Sequence, residues 1–574
     1  MRVADYIAHA LHQHGVAYIY EVIGGMITRL VDAVYQQGKI QLISMHHEQA
    51  AAFAADATGR ITGIPGVAMA TSGPGAINLL TGIGSCYFDS VPSIFITGQV
   101  NRNEQKGARP IRQLGFQETD IVALAAPITK AAWQIIDPNQ VPQKLEEAFH
   151  LATSGRCGPV LLDIPMDVQG EEINAPMPLK QKAEELLALS GELIKDLTLH
   201  LSKAKKPLIL VGGGIHSADA VQLLRQFVNI TQIPVVSSLL AIDTLSYSHP
   251  LHVGFLGTYG NRWANLALGR ADLILVLGSR LDIRQTGSDV AAFKAGRNIY
   301  HVDIEKNEIN SRVSECIPII SHLRPFLIAL LSVVSQEKWD SHKNWISEIQ
   351  ELRRQWPDTR EIQNIPGINP NVFMHELSRS SKLASVFVVD VGNHQMWAAQ
   401  SLELNENQRL ITSGGMGAMG FALPAAVGAT HSTGRPVVMI TGDGGMQLNI
   451  QELETIGYHK LPIKMVVLNN KSLGMVRQFQ QSYFSGRYPA TFWGYSTPDF
   501  SMVARAYRIE SLTISDKKAI PEALEKTWMN PREPFLLQVI LDVNANAYPK
   551  ISFGKPITEM EPFIKSLDME GTKA

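Results

Sequence analysis

The stretch Val437-Val-Met-Ile-Thr-Gly-Asp443-Gly-Gly-Met-Gln-Leu, closed downstream by Ile463-Lys-Met-Val-Val-Leu-Asn-Asn470, decides the fold. A short apolar run ends in Thr441-Gly442-Asp443-Gly444-Gly445, a helical pattern follows to about Tyr458, and a second apolar run begins at Ile463. Two buried strands joined by one helix form a parallel βαβ unit, and open sheets of such units bind ligands at the carboxyl ends of their strands. Asp443 and Asn470 both stand at such ends, so one intervening helix brings them together above the sheet. Taken singly, Asp443 reads equally well as a helix cap and Asn470 as a turn amide.

The same pattern returns near the amino terminus. Gly66–Ala70 runs into Thr71-Ser-Gly-Pro-Gly75, a helix extends to about Ser90, and a strand spans Ser93–Thr97. This echo predicts two similar sheets facing each other. Between them, Pro207-Leu-Ile-Leu-Val-Gly212-Gly213-Gly214 and Asp272-Leu-Ile-Leu-Val-Leu-Gly278-Ser-Arg280 form a nucleotide-fold pattern of low specificity. Composition turns polar and proline-bearing at Gln169–Lys182 and charged at Gln336–Pro370. The expected architecture is therefore α/β, with three doubly wound parallel-sheet domains at 1–170, 190–335 and 368–550 and a carboxyl-terminal tail at 551–574.

Bulk properties leave work on small molecules as the default. A chain of 574 residues, 45% hydrophobic and 18% charged, is long and apolar enough to build several cores. Its 51 Lys and Arg nearly balance 53 Asp and Glu, so no strong field recruits nucleic acid or an anionic membrane. Three widely spaced cysteines, Cys86, Cys157 and Cys316, offer neither a disulfide framework nor a zinc pattern. Asp5 and three histidines interrupt the region where an export signal would need an apolar run, so the expected location is cytoplasmic.

One carboxylate and one amide oxygen suit magnesium, which takes few protein ligands when phosphates complete its octahedron. Gly442, Gly444 and Gly445 let the backbone close on phosphates at a helix start. In Met45-His-His-Glu48-Gln-Ala-Ala-Ala, Glu48 stands where a strand becomes an alanine-rich helix, a position that also suits a capping charge.

Together these segments resemble the signature of thiamine diphosphate enzymes, and the chain to about Pro549 resembles the acetohydroxyacid synthase group. Further matching motifs are Gly98-Gln-Val, Gly115-Phe116-Gln117-Glu118, Asp163-Ile-Pro165, Asp390-Val391-Gly392-Asn393-His394-Gln-Met-Trp397, Ser413-Gly-Gly-Met-Gly417-Ala-Met419 and Ser472-Leu473-Gly474-Met475-Val-Arg-Gln478. The resemblance implies that thiamine diphosphate and Mg2+ are held by these segments, with Asp443, Asn470 and the Ser472 carbonyl on the metal and Met419 supporting a bent cofactor. It implies that Glu48 binds the aminopyrimidine ring, favouring the tautomer that removes the thiazolium proton. Glu48 and the diphosphate site would come from different subunits, making a homodimer or homotetramer; a regulatory subunit is left open. FAD is implied in the middle block, near Arg156, Gly212, Gly213, Gly214, Arg280, Arg284 and Asp303, with a structural role because carboligation transfers no net electrons.

The activity implied is decarboxylation of pyruvate and transfer of the two-carbon unit to a second carbonyl compound. Phe116, Gln117, Gln478, Met475 and Phe479 are candidates for the acceptor pocket. The chain departs from the biosynthetic synthase in having Phe479 where tryptophan selects 2-oxobutyrate, Met166 for lysine, and Thr258-Tyr259 for Met-His. Losing the indole weakens discrimination for one methylene. A keto-sugar nucleotide is therefore an alternative acceptor, flavin-dependent pyruvate oxidation or acetyl transfer an alternative reaction, and a cofactor-binding regulatory protein the non-enzymatic alternative.

Overall fold

The computed structural model describes residues 1–174, 190–336, 339, 341–362 and 364–562. Each of its three large sheets has six parallel strands. The first contains β1 (Tyr18–Val22), β2 (Gln41–Ser44), β3 (Gly66–Ala70), β4 (Ser93–Gln99), β5 (Ala131–Gln134) and β6 (Pro159–Pro165), in spatial order 2-1-3-4-6-5. The second contains β7 (Pro207–Val211), β8 (Val235–Ser237), β9 (His252–Phe255), β10 (Leu273–Leu277), β11 (Asn298–Asp303) and β12 (Ile317–Ile320), ordered 12-11-10-7-8-9. The third contains β13 (Val386–Val389), β14 (Arg409–Thr412), β15 (Val437–Gly442), β16 (Ile463–Asn469), β17 (Glu510–Ile514) and β18 (Phe535–Ile540). Its order, 14-13-15-16-18-17, repeats the first sheet strand for strand, so the sequence echo is a repeat of topology. Inner strands such as β3, β7 and β15 are fully buried because helices cover both faces, whereas the edge strands β2, β5, β12 and β17 are partly exposed.

The two outer sheets meet through the helices Glu48–Thr62 and Ala422–Thr433. Both are rich in alanine and glycine because their backbones nearly touch: a Cβ on Gly428 would lie 2.1 Å from the Ala54 carbonyl oxygen. One apolar cluster consequently runs from Tyr20 and Phe53 on one side to Val437 and Leu536 on the other.

Several sequence expectations change in the structure. The helix after Gly75 is two, Pro74–Asn78 and Leu80–Asp89, and the helix before Tyr458 is also two, Asp443–Leu448 and Glu452–His459. Gln169, read as the start of a polar linker, is buried at the end of a short helix, where its amide donates to the Met26 and Ile164 carbonyls; positions 175–182 of that stretch lie outside the described residues. Within the charged stretch 336–370, Lys343–Gln355 is a helix packed on the middle block, with the Trp345 indole donating to the Pro207 carbonyl at 3.0 Å. Charge there marks one wet helix face, while Trp345, Ile349 and Leu352 enter the core.

Of the segment read as a tail, positions 563–574 lie outside the described residues. Residues 551–562 pack on the middle block, where Ile551, Ile557 and Met560 join its core. The buried Arg262 pairs with Glu361 and donates to the Met560 and Glu561 carbonyls.

Candidate functional site

At the carboxyl edge of the third sheet, the turns after β15 and β16 converge. The Ser472 N–H donates to Asp443 Oδ2 at 3.1 Å and to Asn470 Oδ1 at 3.2 Å, bringing all three expected metal residues together. All three are buried. Burial pushes the Asp443 carboxyl up to about 7, although backbone N–H groups and the Tyr495 hydroxyl favour its charged form.

Glycines bring the surrounding walls close. A Cβ on Gly444 would lie 2.5 Å from Leu473 and 3.1 Å from Met419 Cε; one on Gly474 would lie 2.7 Å from the Asn470 amide and 2.9 Å from that of Asn393. Gly442 lies against the His394 ring, Gly445 against Asp390, and the Gly392 backbone beside that same ring. Asn393 Oδ1 and His394 Nε2 are buried without a hydrogen-bond partner among the described residues, so the pocket has unused polar capacity that fits an added polar ligand. Met475 lies against the same apolar cluster as Tyr259.

Two further residues shape this site: Asp390, quoted in the sequence only as the head of a matching motif, and Tyr495, which was not singled out there. Asp390 accepts from the Val391, Gly420 and Ala422 N–H groups, tying the Val391–His394 turn to the Met419 loop. Tyr495 sits in an irregular segment with no periodic signal.

Glu48 begins its helix and is 9% exposed, with Oε2 accepting from Asn78 Nδ2 at 2.9 Å. Asn78 was not singled out in the sequence. The residues flanking Glu48 touch the third block: the His46 N–H donates to Glu452, and Asn449 donates to Gln49. Among the described residues, however, no hydrogen bond joins the Glu48 carboxylate to the Asp443–Asn470 group of the same chain.

The acceptor candidates do not form a closed pocket within one chain. Phe116 is 80% and Phe479 51% exposed; Phe479 contacts Tyr483 and Phe484, and Gln117 adopts a left-handed φ of 66° against Gly73. Gln478 is a correction: its amide donates to the Ala547 carbonyl and accepts from the Ala547 N–H, so both ends are committed to the backbone.

All seven expected flavin residues, Arg156 of the first block with Gly212, Gly213, Gly214, Arg280, Arg284 and Asp303 of the middle block, line one cavity of about 530 Å³. Val391 and Gly417 reach the same cavity, as do Phe88 and Asp89 of the first block. Asp89 accepts from the Gly414 and Gly415 N–H groups, fixing that wall. The Arg156 guanidinium is already engaged, by Ser90, Glu305 and Glu308. Burial raises the Asp303 carboxyl while Arg156 opposes the shift.

Residues 1–124, 194–330 and 390–539 match the N-terminal TPP binding, central and C-terminal TPP binding domains of thiamine pyrophosphate enzymes. The acetolactate synthase large subunit of Lactococcus lactis is 38% identical over 96% of this chain and 95% of its own length. The chain belongs to the acetolactate synthase family of thiamine pyrophosphate enzymes. Other members of this acetolactate synthase family include the Escherichia coli isozyme 2 large subunit, 36% identical over 98% of this chain and 99% of its own length. The Corynebacterium glutamicum large subunit is 35% identical, covering 98% and 90%. Among the described residues, no helix is long and apolar enough to cross a membrane.

Proposed function

We propose that this chain decarboxylates pyruvate and joins the two-carbon unit to a second carbonyl compound, as an acetolactate synthase-like carboligase. The observation that carries the reading is the single Ser472 N–H holding Asp443 and Asn470 together above the third sheet, beside the unpartnered Asn393 and His394. Asp443, Asn470 and the Ser472 carbonyl would hold Mg2+ against the diphosphate, with Gly442, Gly444, Gly445, Leu473 and Gly474 closing around it. Met419 would support the cofactor between its two rings. When bound, thiamine diphosphate supplies a nucleophilic carbon and an electron sink for decarboxylation.

Glu48 would bind the aminopyrimidine ring and hold a proton at its nitrogen, with Asn78 fixing the carboxylate. Because Glu48 makes no bond to the diphosphate group of its own chain, we assign it to a site completed by a second copy, in a homodimer or homotetramer. Phe116, Gln117 and Phe479, open in one chain, would be covered there and would exclude water from the acceptor. The relatives' designation as large subunits supports an assembly with a smaller regulatory chain.

The 530 Å³ cavity fits a dinucleotide of FAD's chemistry, with Gly212–Gly214 beside the phosphates and Asp303 beside a ribose. Such a flavin would be structural. The exposed aromatic group of Phe479, Tyr483 and Phe484 also supports a second reading for the acceptor, a keto-sugar nucleotide.

Purified protein supplied with thiamine diphosphate, Mg2+ and pyruvate should release carbon dioxide, and mass spectrometry should find the product of pyruvate with itself, 2-oxobutyrate or a 4-keto-6-deoxy sugar nucleotide. Glu48→Gln should reduce turnover at least about a hundredfold while leaving the circular dichroism spectrum intact. Oxygen uptake or acetyl phosphate in place of a carboligation product would replace this reading with flavin chemistry.

A further inference from the structure

A cleft between the middle block and the third block shares no lining residue with the flavin-type cavity or the Asp443 group. Its volume is about 560 Å³, and Tyr247, His249, His252, Ile349, Arg353 and Glu403 form its walls. A second hollow of about 500 Å³ shares Tyr247 and Arg353 and adds Trp263, Arg354 and Asp358. Arg353 lies at the boundary, its guanidinium carbon 4.5 Å from the Tyr247 ring centre and 5.4 Å from that of Trp263.

The charges around Arg353 are unevenly matched. Asp358 accepts from His375 at 2.9 Å and Ser401 at 2.5 Å, and Glu403 is held by His375 and Arg379. Both lining carboxylates are therefore committed, and among the described residues Arg353 forms no ion pair. Its cation lies against the Tyr247 and Trp263 rings with the Tyr247 hydroxyl as a further partner, and because a guanidinium carries five N–H donors, donor edges are left for an anion. His252 Nδ1 is buried without a partner, and burial pushes this imidazole down to about 3, so it adds a polar contact without charge. Pro234, Val253, Ile346 and Ile349 complete an apolar wall.

One guanidinium matches one carboxylate, a dianion would be left half-neutralised in a partly dry cleft, and a flat apolar body can stack on Tyr247. We propose that this cleft binds flat, apolar monocarboxylates, with the carboxylate on Arg353 and the body between Tyr247 and the Ile349 wall. Such a ligand bridges the two blocks and stabilises their junction.

The test is calorimetric titration of the full-length protein with benzoate, with inorganic phosphate as the charge-only control. Saturable benzoate binding is expected at one site per chain, at least about tenfold weaker in Arg353→Met and unchanged in Glu48→Gln, with phosphate binding more weakly than benzoate. Unsaturable benzoate binding, equal affinity in Arg353→Met, loss in Glu48→Gln, or phosphate binding as tightly would overturn the proposal. The Glu48→Gln arm separates this cleft from the carboligation site, so either assignment can fail alone. If Arg353→Met does not fold, 4-bromobenzoate soaked into crystals of the wild-type protein decides the matter: anomalous bromine density in the cleft supports it, and an empty cleft refutes it.

Discussion

Asp443 is a carboxylate held in a dry place, where burial works against its charge while the Asp443, Gly444 and Ser472 N–H groups and the Tyr495 hydroxyl favour it. A divalent ion would remove that conflict. Asp443→Asn keeps an acceptor for Ser472 and removes the charge, so the fold should persist. Calorimetric titration of this variant with thiamine diphosphate and Mg2+ should show at least about tenfold weaker binding than wild type; unchanged affinity would take Asp443 out of the metal site.

The sequence revealed residues of this kind when the chemistry was local. Asp443 and Asn470 directly follow strands and Glu48 opens the helix after one, and such positions are visible beyond a short apolar run. Asn78, which holds Glu48, and Tyr495, which bonds Asp443, lie in helical or irregular segments whose partners are distant in sequence. Gln478 misled for the same reason: nothing near it in the chain announces that Ala547 takes both ends of its amide.

Elements are joined across blocks by few buried charges, and Asp243 is the clearest. It pairs with His216 in the middle block and with Arg409 on β14, and it accepts from the Leu410 N–H. Burial works against its charge, but His216 and Arg409 overcome that cost and hold the carboxyl well below the usual range. A folded-state value below the unfolded one adds stability that is complete above the unfolded value and is lost as pH falls through the folded one. Urea denaturation should therefore show wild type losing an advantage over Asp243→Ala below about pH 4. At neutral pH the variant should be less stable by about 2 kcal/mol, because the Leu410 N–H and His216 lose their buried acceptor and the half-buried Arg409 loses its carboxylate. Equal stability of the two proteins across this range would show that the latch contributes nothing.

Inner strands were legible nearly residue for residue, Gly66–Ala70 among them, because a parallel strand covered on both faces must be apolar throughout, whereas partly exposed edge strands such as Ala131–Gln134 and Glu510–Ile514 lack that signal. Helix breaks at Leu79 and at Asn449–Gln451 were not, since both sides keep helical composition.

For the whole molecule, the decisive question is which Glu48 serves which Asp443. If each site is shared between two copies, mixing Glu48→Gln protomers with Asp443→Asn protomers creates pairs with one intact site. Refolding an equal mixture should recover about a quarter of wild-type turnover, whereas each variant alone remains inactive. No recovery in mixtures shown by mass spectrometry to contain mixed pairs would place both residues in a single-chain site. The exposed Phe116, Phe479, Phe484 and Trp493 mark the surface such a partner would cover.

Helix Ala422–Thr433 presses so closely on helix Glu48–Thr62 that the first and last sheets are packed around one shared interior. The chain thus leaves that interior after β6, builds the entire middle sheet, and returns to finish what it began. In hereditary terms the middle portion is a long parenthesis, tied to its neighbours at a few points such as Asp243 and Arg156, while the clauses on either side share an interior and must change in step.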